Sequence, residues 1–378
     1  MIDYEILRFI WWVLIGVLLI GFAITDGFDM GVITLLPVIG KSNVERRVMI
    51  NSIAPHWDGN QVWLLTAGGA IFAAWPTVYA TAFSGFFIAL ILVLAALFFR
   101  PVGFEYRAKI DAPKWRNAWD WGLFIGGFVP SLVFGVAFGN LLQGVPFEFN
   151  NINQVKYTGS FFGLLNPFAL LCGVVSLMML TTQGATWLQM KTTGDLRNRA
   201  RNVAQLTAII TLVAFVLAGV WIYFKEGFVI TSQIDHNAQS VFTNKTVALE
   251  TGAWFKNFIE MPVLWVIPAL AVVGALLTVV SSKANRSGWA FFSSSIMQTG
   301  VILTAGVAMF PFVMPSISNP AMSLTAWDST ASQFTLTVML IVACIFVPIV
   351  LGYTIWTYIK MFGRLDAKFI EDNKASLY

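Results

Sequence analysis

The chain has 378 residues, of which 57% are hydrophobic and 11% are charged, and its net charge is +4. A soluble domain carries about 25% charged residues, so this composition excludes an ordinary water-soluble protein and favours one surrounded by lipid. No basic stripe with interleaved aromatic residues occurs, which argues against a nucleic-acid partner.

Nine hydrophobic runs follow one another along the chain. A membrane-spanning helix needs about 20 mostly apolar residues, and each run meets or approaches that length. The pattern predicts an all-α, polytopic membrane protein that forms a single membrane domain, residues 1–378, with about nine transmembrane helices. The predicted spans are 9–36, 50–74, 78–100, 121–142, 161–190, 203–224, 262–281, 289–313 and 334–360. The second run is the least hydrophobic because its first turns are polar.

The positive charges predict how the chain crosses the membrane. Alternate connections, together with the C-terminal tail, carry 18 of the 23 Lys and Arg residues. Cytoplasmic loops are enriched in such residues. The N-terminus is therefore expected on the outside, the C-terminus in the cytoplasm, and the longest external loop at residues 225–261.

Two local patterns predict structural roles near the span ends. Trp and Tyr residues cluster there, Trp356 and Tyr358 among them, and most of these are expected to be anchors at the membrane interface. The run Asp328-Ser329-Thr330 is predicted to cap the ninth helix.

Acidic side chains lie within or next to the first four spans. Ionisable groups inside a bilayer are costly, and so they are functional candidates. The predicted topology places these groups in the same cytoplasmic half of the membrane, which suits a proton path with carboxylates as relay stations and an arginine as counter-charge. The residues are Asp26, Asp29, Asp58, Arg100, Glu105 and Asp120.

A static role for the same residues is the alternative. Asp29 or Asp58 could pair with Arg100 and fix the helix register. Glu105 and Asp120, which lie at the interface, could cap helices or form part of the solvated surface.

The second span also begins with side chains that could contact a cofactor or support its site. His56 is the histidine near a span, since His236 falls in the external loop. A lone histidine in a helix is expected to be a hydrogen-bonded structural group rather than a heme ligand, and no metal site is predicted. The neighbours expected to share the cofactor-contacting or supporting role are Trp57, Asn60, Gln61 and Trp63.

At these residues the sequence resembles a known family, subunit II of the cytochrome bd ubiquinol oxidases. The likeness covers essentially the whole chain, and the stretch HWDGNQVW at residues 56–63 is its most specific part. The other matching stretches are residues 25–31, 51–55, 98–101, 138–146, 182–185, 309–316 and the final pair Leu377-Tyr378.

The resemblance implies a bacterial inner-membrane complex that oxidises ubiquinol and reduces dioxygen to water. In such a complex a heme-bearing subunit I, with two hemes b and one heme d, pairs with subunit II and with small single-helix subunits. Subunit II lacks the hemes, in some members holds a structural ubiquinone, and contributes Asp58 to the proton path. The ligand count agrees, because three hemes need around five axial ligands and this chain offers at most one histidine in the membrane.

Two other functions fit part of the pattern. A proton-coupled secondary transporter would also keep carboxylates inside the membrane, although such proteins often show inverted repeats and paired broken helices, and neither is clear here. A purely structural scaffold for subunit I is the third interpretation.

Overall fold

The computed structural model describes residues 2–373, 377 and 378, and within them the chain is almost entirely helical. Lys374, one of the basic residues counted for the topology, lies outside the described residues. The helices are α1 Tyr4–Ile24, α2 Asp26–Ile39, α3 Asn43–Ile53, α4 Trp57–Ala74, α5 Pro76–Gly85, α6 Phe87–Leu97, α7 Phe99–Tyr106, α8 Pro113–Gln143, α9 Pro167–Lys191, α10 Gly194–Tyr223, α11 Lys256–Glu260, α12 Val266–Lys283, α13 Ser287–Met309, α14 Gln333–Lys360 and α15 Ala367–Asp372.

Three short antiparallel hairpins accompany the helices, all in connections that the charge pattern assigns to the external side. They pair β1 Phe147–Phe149 with β2 Val155–Tyr157, β3 Glu226–Ile230 with β4 Val247–Thr251, and β5 Phe312–Met314 with β6 Leu324–Thr325. The predicted membrane fold is confirmed, with these hairpins as an addition that hydropathy does not reveal.

Eight helical segments of the described chain are long and apolar enough to cross a membrane. The predicted second span is not among them, although a helix, α4, occupies most of it. Its first turns contain Asp58, Asn60 and Gln61, which lower its hydropathy. The number nine and the orientation of the termini therefore stay predictions.

Several predicted spans are broken where the sequence suggested one continuous helix. The second run divides into α3 and α4 around Pro55, which has no N–H group to continue the helical hydrogen-bond pattern. The first run breaks at Thr25, whose hydroxyl donates to the carbonyl oxygen of Gly21. Such back-bonding by Thr bends helices.

The centre of the bundle is the contact between α2 and α9. Gly31 and Gly184 face each other there, and a Cβ on Gly184 would meet the backbone of Gly31 and Val32. Small residues let membrane helices approach closely, so this crossing depends on glycine. Of the apolar stretch of α9, 72% of the residues are buried, whereas 6% of the corresponding stretch of α14 is buried. Helix α14 therefore lies at the periphery.

The predicted cap of the ninth helix is wrong. Ser332 caps α14 by accepting a hydrogen bond from the backbone N–H of Thr335. Asp328 instead accepts a hydrogen bond from the backbone of Thr325 and pairs with the buried ammonium of Lys245 at 2.7 Å. A carboxylate that pairs with a buried cation from the loop at residues 225–261 is not available as a helix cap.

Candidate functional site

The deepest charged pair joins Asp26, at the start of α2, to Arg100 in α7. Both side chains are fully buried, and the guanidinium makes two hydrogen bonds to the carboxylate, at 2.9 and 2.5 Å. A fork-to-fork geometry of this kind is the strongest form of such a pair. The sequence predicted Arg100 as a counter-charge, and the structure gives it Asp26 as its bonded partner.

Asp29 lies one helical turn from Asp26 and belongs to a chain of polar side chains. The amide nitrogen of Asn60 donates to Asp29 Oδ2 at 2.8 Å, and the hydroxyl of Tyr358 donates to the amide oxygen of Asn60 at 2.7 Å. In the described part of the chain, the other carboxylate oxygen of Asp29 is buried without a hydrogen-bond partner. That oxygen can take up and release a proton without breaking an existing bond.

Asp58 occupies the first turn of α4 and is exposed. It is close enough to Arg100 to interact with its charge. The predicted second span began at residue 50, which placed Asp58 well inside a helix. In the structure α4 begins only at Trp57, so Asp58 lies in its first turn. Val62, Leu65 and Phe72 are also exposed, at spacings that place them with Asp58 on one side of α4.

Asp120 belongs to a second group of charges. It is fully buried in α8, where it pairs with Arg107 at 2.5 Å and with Arg46 at 2.7 Å. The predicted fourth span began at residue 121, but α8 begins at Pro113, so Asp120 lies two turns inside the helix. It is therefore neither a cap nor part of a solvated surface.

Glu105 is exposed near the end of α7, beside the tail of the chain. The phenol of Tyr378 makes a hydrogen bond with Glu105, and Asn51 and Arg47 hold the backbone carbonyl oxygen of Tyr378 at 2.9 Å each. Burial raises the pKa of the Tyr378 phenol, as do the Glu105 hydrogen bond and the charges of Glu105 and Asp58. Two acidic groups thus lie near one phenol at this edge of the protein.

The proposed quinone-contacting residues do not surround one cavity. His56 is buried and stacks on the ring of Tyr358, with centroids 4.2 Å apart. Trp57 packs on Phe104 at 5.2 Å, Trp63 lies against Gly21, and Gln61 is half-buried on α4.

Sequence reasoning missed three partners of the acidic groups. Tyr358 was grouped with the interface anchors, because a tyrosine two residues before Lys360 at a span end matches that pattern. Arg46 and Arg107 were counted only as loop charges. Nothing local in the sequence distinguishes these residues, since their partners are 13 to 298 residues away.

Two cavities lie among the spanning helices. One, of about 260 Å³, has nearly apolar walls formed by α1, α4, α8, α9, α10 and α13. Its polar lining is limited to Cys172, Ser176 and Thr304. The other, of about 530 Å³, is lined by the aromatic rings of Phe28, Trp187, Phe291, Tyr358 and Phe362 and by Lys191.

Comparison with known proteins places this architecture in one family. The model of the family described as cytochrome bd terminal oxidase subunit II matches residues 7–361. The chain is 73% identical to a probable cytochrome oxidase subunit 2 of Haemophilus influenzae and 62% identical to the cytochrome bd-I ubiquinol oxidase subunit 2 of Escherichia coli K12, each match covering 100% of both chains.

More distant matches agree. The cytochrome bd ubiquinol oxidase subunit 2 of Bacillus subtilis is 33% identical over 95% of this chain and 97% of its own. A chain in the structure of the bd oxidase from Geobacillus thermodenitrificans has the same fold, with a TM-score of 0.66 over 95% of this chain and 99% of that one, at 14% identity. These matches do not favour a secondary transporter. The chain therefore belongs to the cytochrome bd terminal oxidase subunit II family and is a multi-pass inner-membrane subunit of a bacterial quinol oxidase complex that contains heme and a partner subunit I.

Proposed function

We propose that this subunit conducts protons from the cytoplasm toward subunit I, where dioxygen is reduced with electrons from ubiquinol. Asp58 is the central carrier, with Glu105 at the entrance and Asp29 as a buried proton acceptor. Asp26, Arg100 and Asp120 form a fixed framework of charge around them.

The exposure of Asp58 on an apolar helix face supports this assignment most directly. A carboxylate exposed beside Val62 and Leu65 would be unfavourable against lipid, because ionised groups are costly in a bilayer. We therefore assign this face of α4 to the contact with subunit I. In that position Asp58 is held by one subunit and can pass its proton to the other.

The division of roles rests on how each carboxylate is bonded. Asp26 and Asp120 each accept hydrogen bonds from arginine on both oxygens, so neither carboxylate has an oxygen that is free of an arginine donor. Asp29 has a free oxygen within the described chain, and Asp58 and Glu105 are exposed. Only the second group is arranged to exchange protons.

The test is Asp58→Asn, which keeps the size of the side chain but cannot carry a proton. Heme content and quinol-oxidase rate are measured on the same purified complex, with Asp111→Asn as control, because Asp111 is 89% exposed. We expect normal heme content with most turnover lost, and a control equal to wild type. Full heme with a wild-type rate would exclude the relay, while joint loss of heme and rate would indicate a structural role.

We assign the hemes, two b and one d, to subunit I. The ring of His56 is covered by Tyr358 and meets Trp187 at its edge, while His236 pairs with Glu5 and stacks on Trp327. Neither ring suits axial ligation, which needs a ring nitrogen directed at an open porphyrin face. The chain purified without subunit I should therefore show no stoichiometric heme spectrum.

The nearly apolar cavity of about 260 Å³ suits a structural ubiquinone, because its walls match an isoprenoid chain. Ala305→Phe should displace this quinone, whereas Ala269→Phe, on an exposed position of α12, should not. The measurement is the quinone extracted per heme from the purified complex. Equal quinone in both variants would argue against the cavity.

The remaining partners and the topology are proposed on the family likeness and the charge pattern. Small single-helix subunits complete the complex, and the external loop 225–261 faces the periplasm, as does the N-terminus. Reporter fusions after Lys41, Arg107, Arg197 and Lys283 should report the cytoplasm, and fusions within 225–261 the outside. Reversal at any two sites would contradict this topology.

A further inference from the structure

The aromatic cavity of about 530 Å³ contains a buried cation. Lys191, in the last turn of α9, is 5% exposed and lines the cavity. Its ammonium donates to the carbonyl oxygen of Met361 at 2.8 Å and lies over the rings of Trp187 and Phe362, at 5.2 and 5.5 Å. This position joins the C-terminal ends of α9 and α14.

Lys191 lacks a counter-ion in the described part of the chain. Its one hydrogen bond there is to a backbone carbonyl, and it forms no ion pair with a carboxylate. An ammonium has three N–H donors, and a buried charge is costly unless it is paired. Helix C-termini supply partial negative charge, which offsets part of this cost but leaves two donors unused.

Two further cations surround the same helix end. The guanidinium of Arg197 donates to the carbonyl oxygen of Gln189 at 3.0 Å, and that of Arg364 to the carbonyl oxygen of Met190 at 3.3 Å. Lys191 is the one of these three cations that lines the cavity, and together they form a positive rim at the end of α9, on the side predicted to be cytoplasmic. Such a rim attracts an anion rather than a neutral group.

The cavity is a groove beside the peripheral helix α14. Its outer wall is formed by Ile359 and Phe362, which are 67% and 72% exposed on the peripheral helix α14 and just beyond its end. Its inner wall is the stacked pair Phe28 and Trp187, with centroids 4.0 Å apart. A ligand that enters from the bilayer would place apolar chains along these rings and an anionic group at the rim.

We propose that this groove binds one anionic phospholipid of the cytoplasmic leaflet, with its phosphate on Lys191 and an acyl chain along the aromatic wall. The lipid supplies the counter-ion that the described chain lacks and holds α14 against α9. The proposal is independent of the proton path.

Native mass spectrometry of the delipidated complex with added phosphatidylglycerol tests the site. The variants are Lys191→Met, Lys191→Arg and, as a matched control, Lys283→Met, since Lys283 is an exposed lysine at the end of α12 on the same side. We expect Lys191→Met to bind one phosphatidylglycerol fewer, with at least tenfold weaker retention of that molecule, while the other two variants match wild type. Equal retention in Lys191→Met, or loss of quinone in place of phospholipid, would overturn the proposal.

A second experiment uses the wild-type complex, so that it remains decisive if Lys191→Met does not assemble. Phosphatidylglycerol with a photoreactive diazirine in its acyl chain is added, irradiated and mapped by peptide sequencing. Crosslinks to Phe291, Ile359 or Phe362 are expected, and they should diminish when unlabelled phosphatidylglycerol competes but not when phosphatidylcholine does. Crosslinks that avoid the groove, or equal competition by both lipids, would contradict the assignment.

Discussion

Replacing Asp26 by Asn should destabilise the complex rather than slow its chemistry. In the wild type both oxygens of Asp26 accept hydrogen bonds from the fully buried Arg100 guanidinium. In Asp26→Asn an NH₂ group replaces one of these oxygens, so the guanidinium loses one acceptor and its counter-charge. Removing one member of a buried ion pair costs about 3–5 kcal/mol. The nearby charge of Asp29 compensates in part, so we expect a value near 3 kcal/mol, a change of about a hundredfold in the folding equilibrium.

The assay is heat-induced loss of the heme spectrum in detergent, together with heme content and oxidase rate per heme. Asp26→Asn should lose thermal stability by several degrees, while the surviving complex keeps most of its rate per heme. The double variant Asp26→Leu with Arg100→Met removes both charges and should recover much of the stability, because apolar side chains of similar size avoid the unpaired charge.

The opposite pattern would refute this reasoning. If Asp26→Asn keeps wild-type stability and heme content but loses turnover, Asp26 carries protons and is not part of a fixed framework. A double variant less stable than Asp26→Asn would show that the charges themselves, and not their pairing, support the fold.

Three further outcomes follow from particular contacts. Gly184→Ala should prevent assembly because its Cβ would meet the backbone of α2, whereas Gly352→Ala, where the added Cβ meets nothing within 4 Å, should be neutral; yield of heme-containing complex measures both. Tyr358→Phe leaves the amide oxygen of Asn60 without its donor, which should cost about 1–3 kcal/mol in thermal stability. Burial raises the pKa of Glu45, but hydrogen bonds from Arg199 and the backbone of Lys41 and Ser42 lower it below 4.5 overall. The ionised Glu45 therefore stabilises the fold at pH values above its unfolded-state pKa, and this stabilisation is lost as the pH falls through its lowered folded-state pKa. The thermal unfolding temperatures of wild type and Glu45→Gln should therefore converge on acidification.

The acidic groups show how far sequence reasoning reaches into the site. Asp26, Asp29, Asp58 and Arg100 stand out because charges are rare in apolar runs, and the structure places all four in one neighbourhood. Which carboxylate pairs with Arg100 could not be predicted, because Asp26 and Asp29 lie on the same helix face. The distance from the Arg100 guanidinium to each carboxylate decides between them. Only the position of α7 relative to α2 in the tertiary structure sets that distance.

The sequence by itself determined the membrane class, the approximate spans, the family and the set of acidic candidates. These properties follow from composition, from hydrophobic length and from a specific motif, all of which are local along the chain. Only the tertiary structure revealed the partners of Asn60, Asp120 and Lys191, namely Tyr358, two arginines and a backbone carbonyl. None of these partners lies in the same helix as the residue it contacts, and hydropathy does not record which face of one helix meets which part of another. The tertiary packing therefore decided which charges are bonded to an opposite charge within the described chain and which are exposed or lack one.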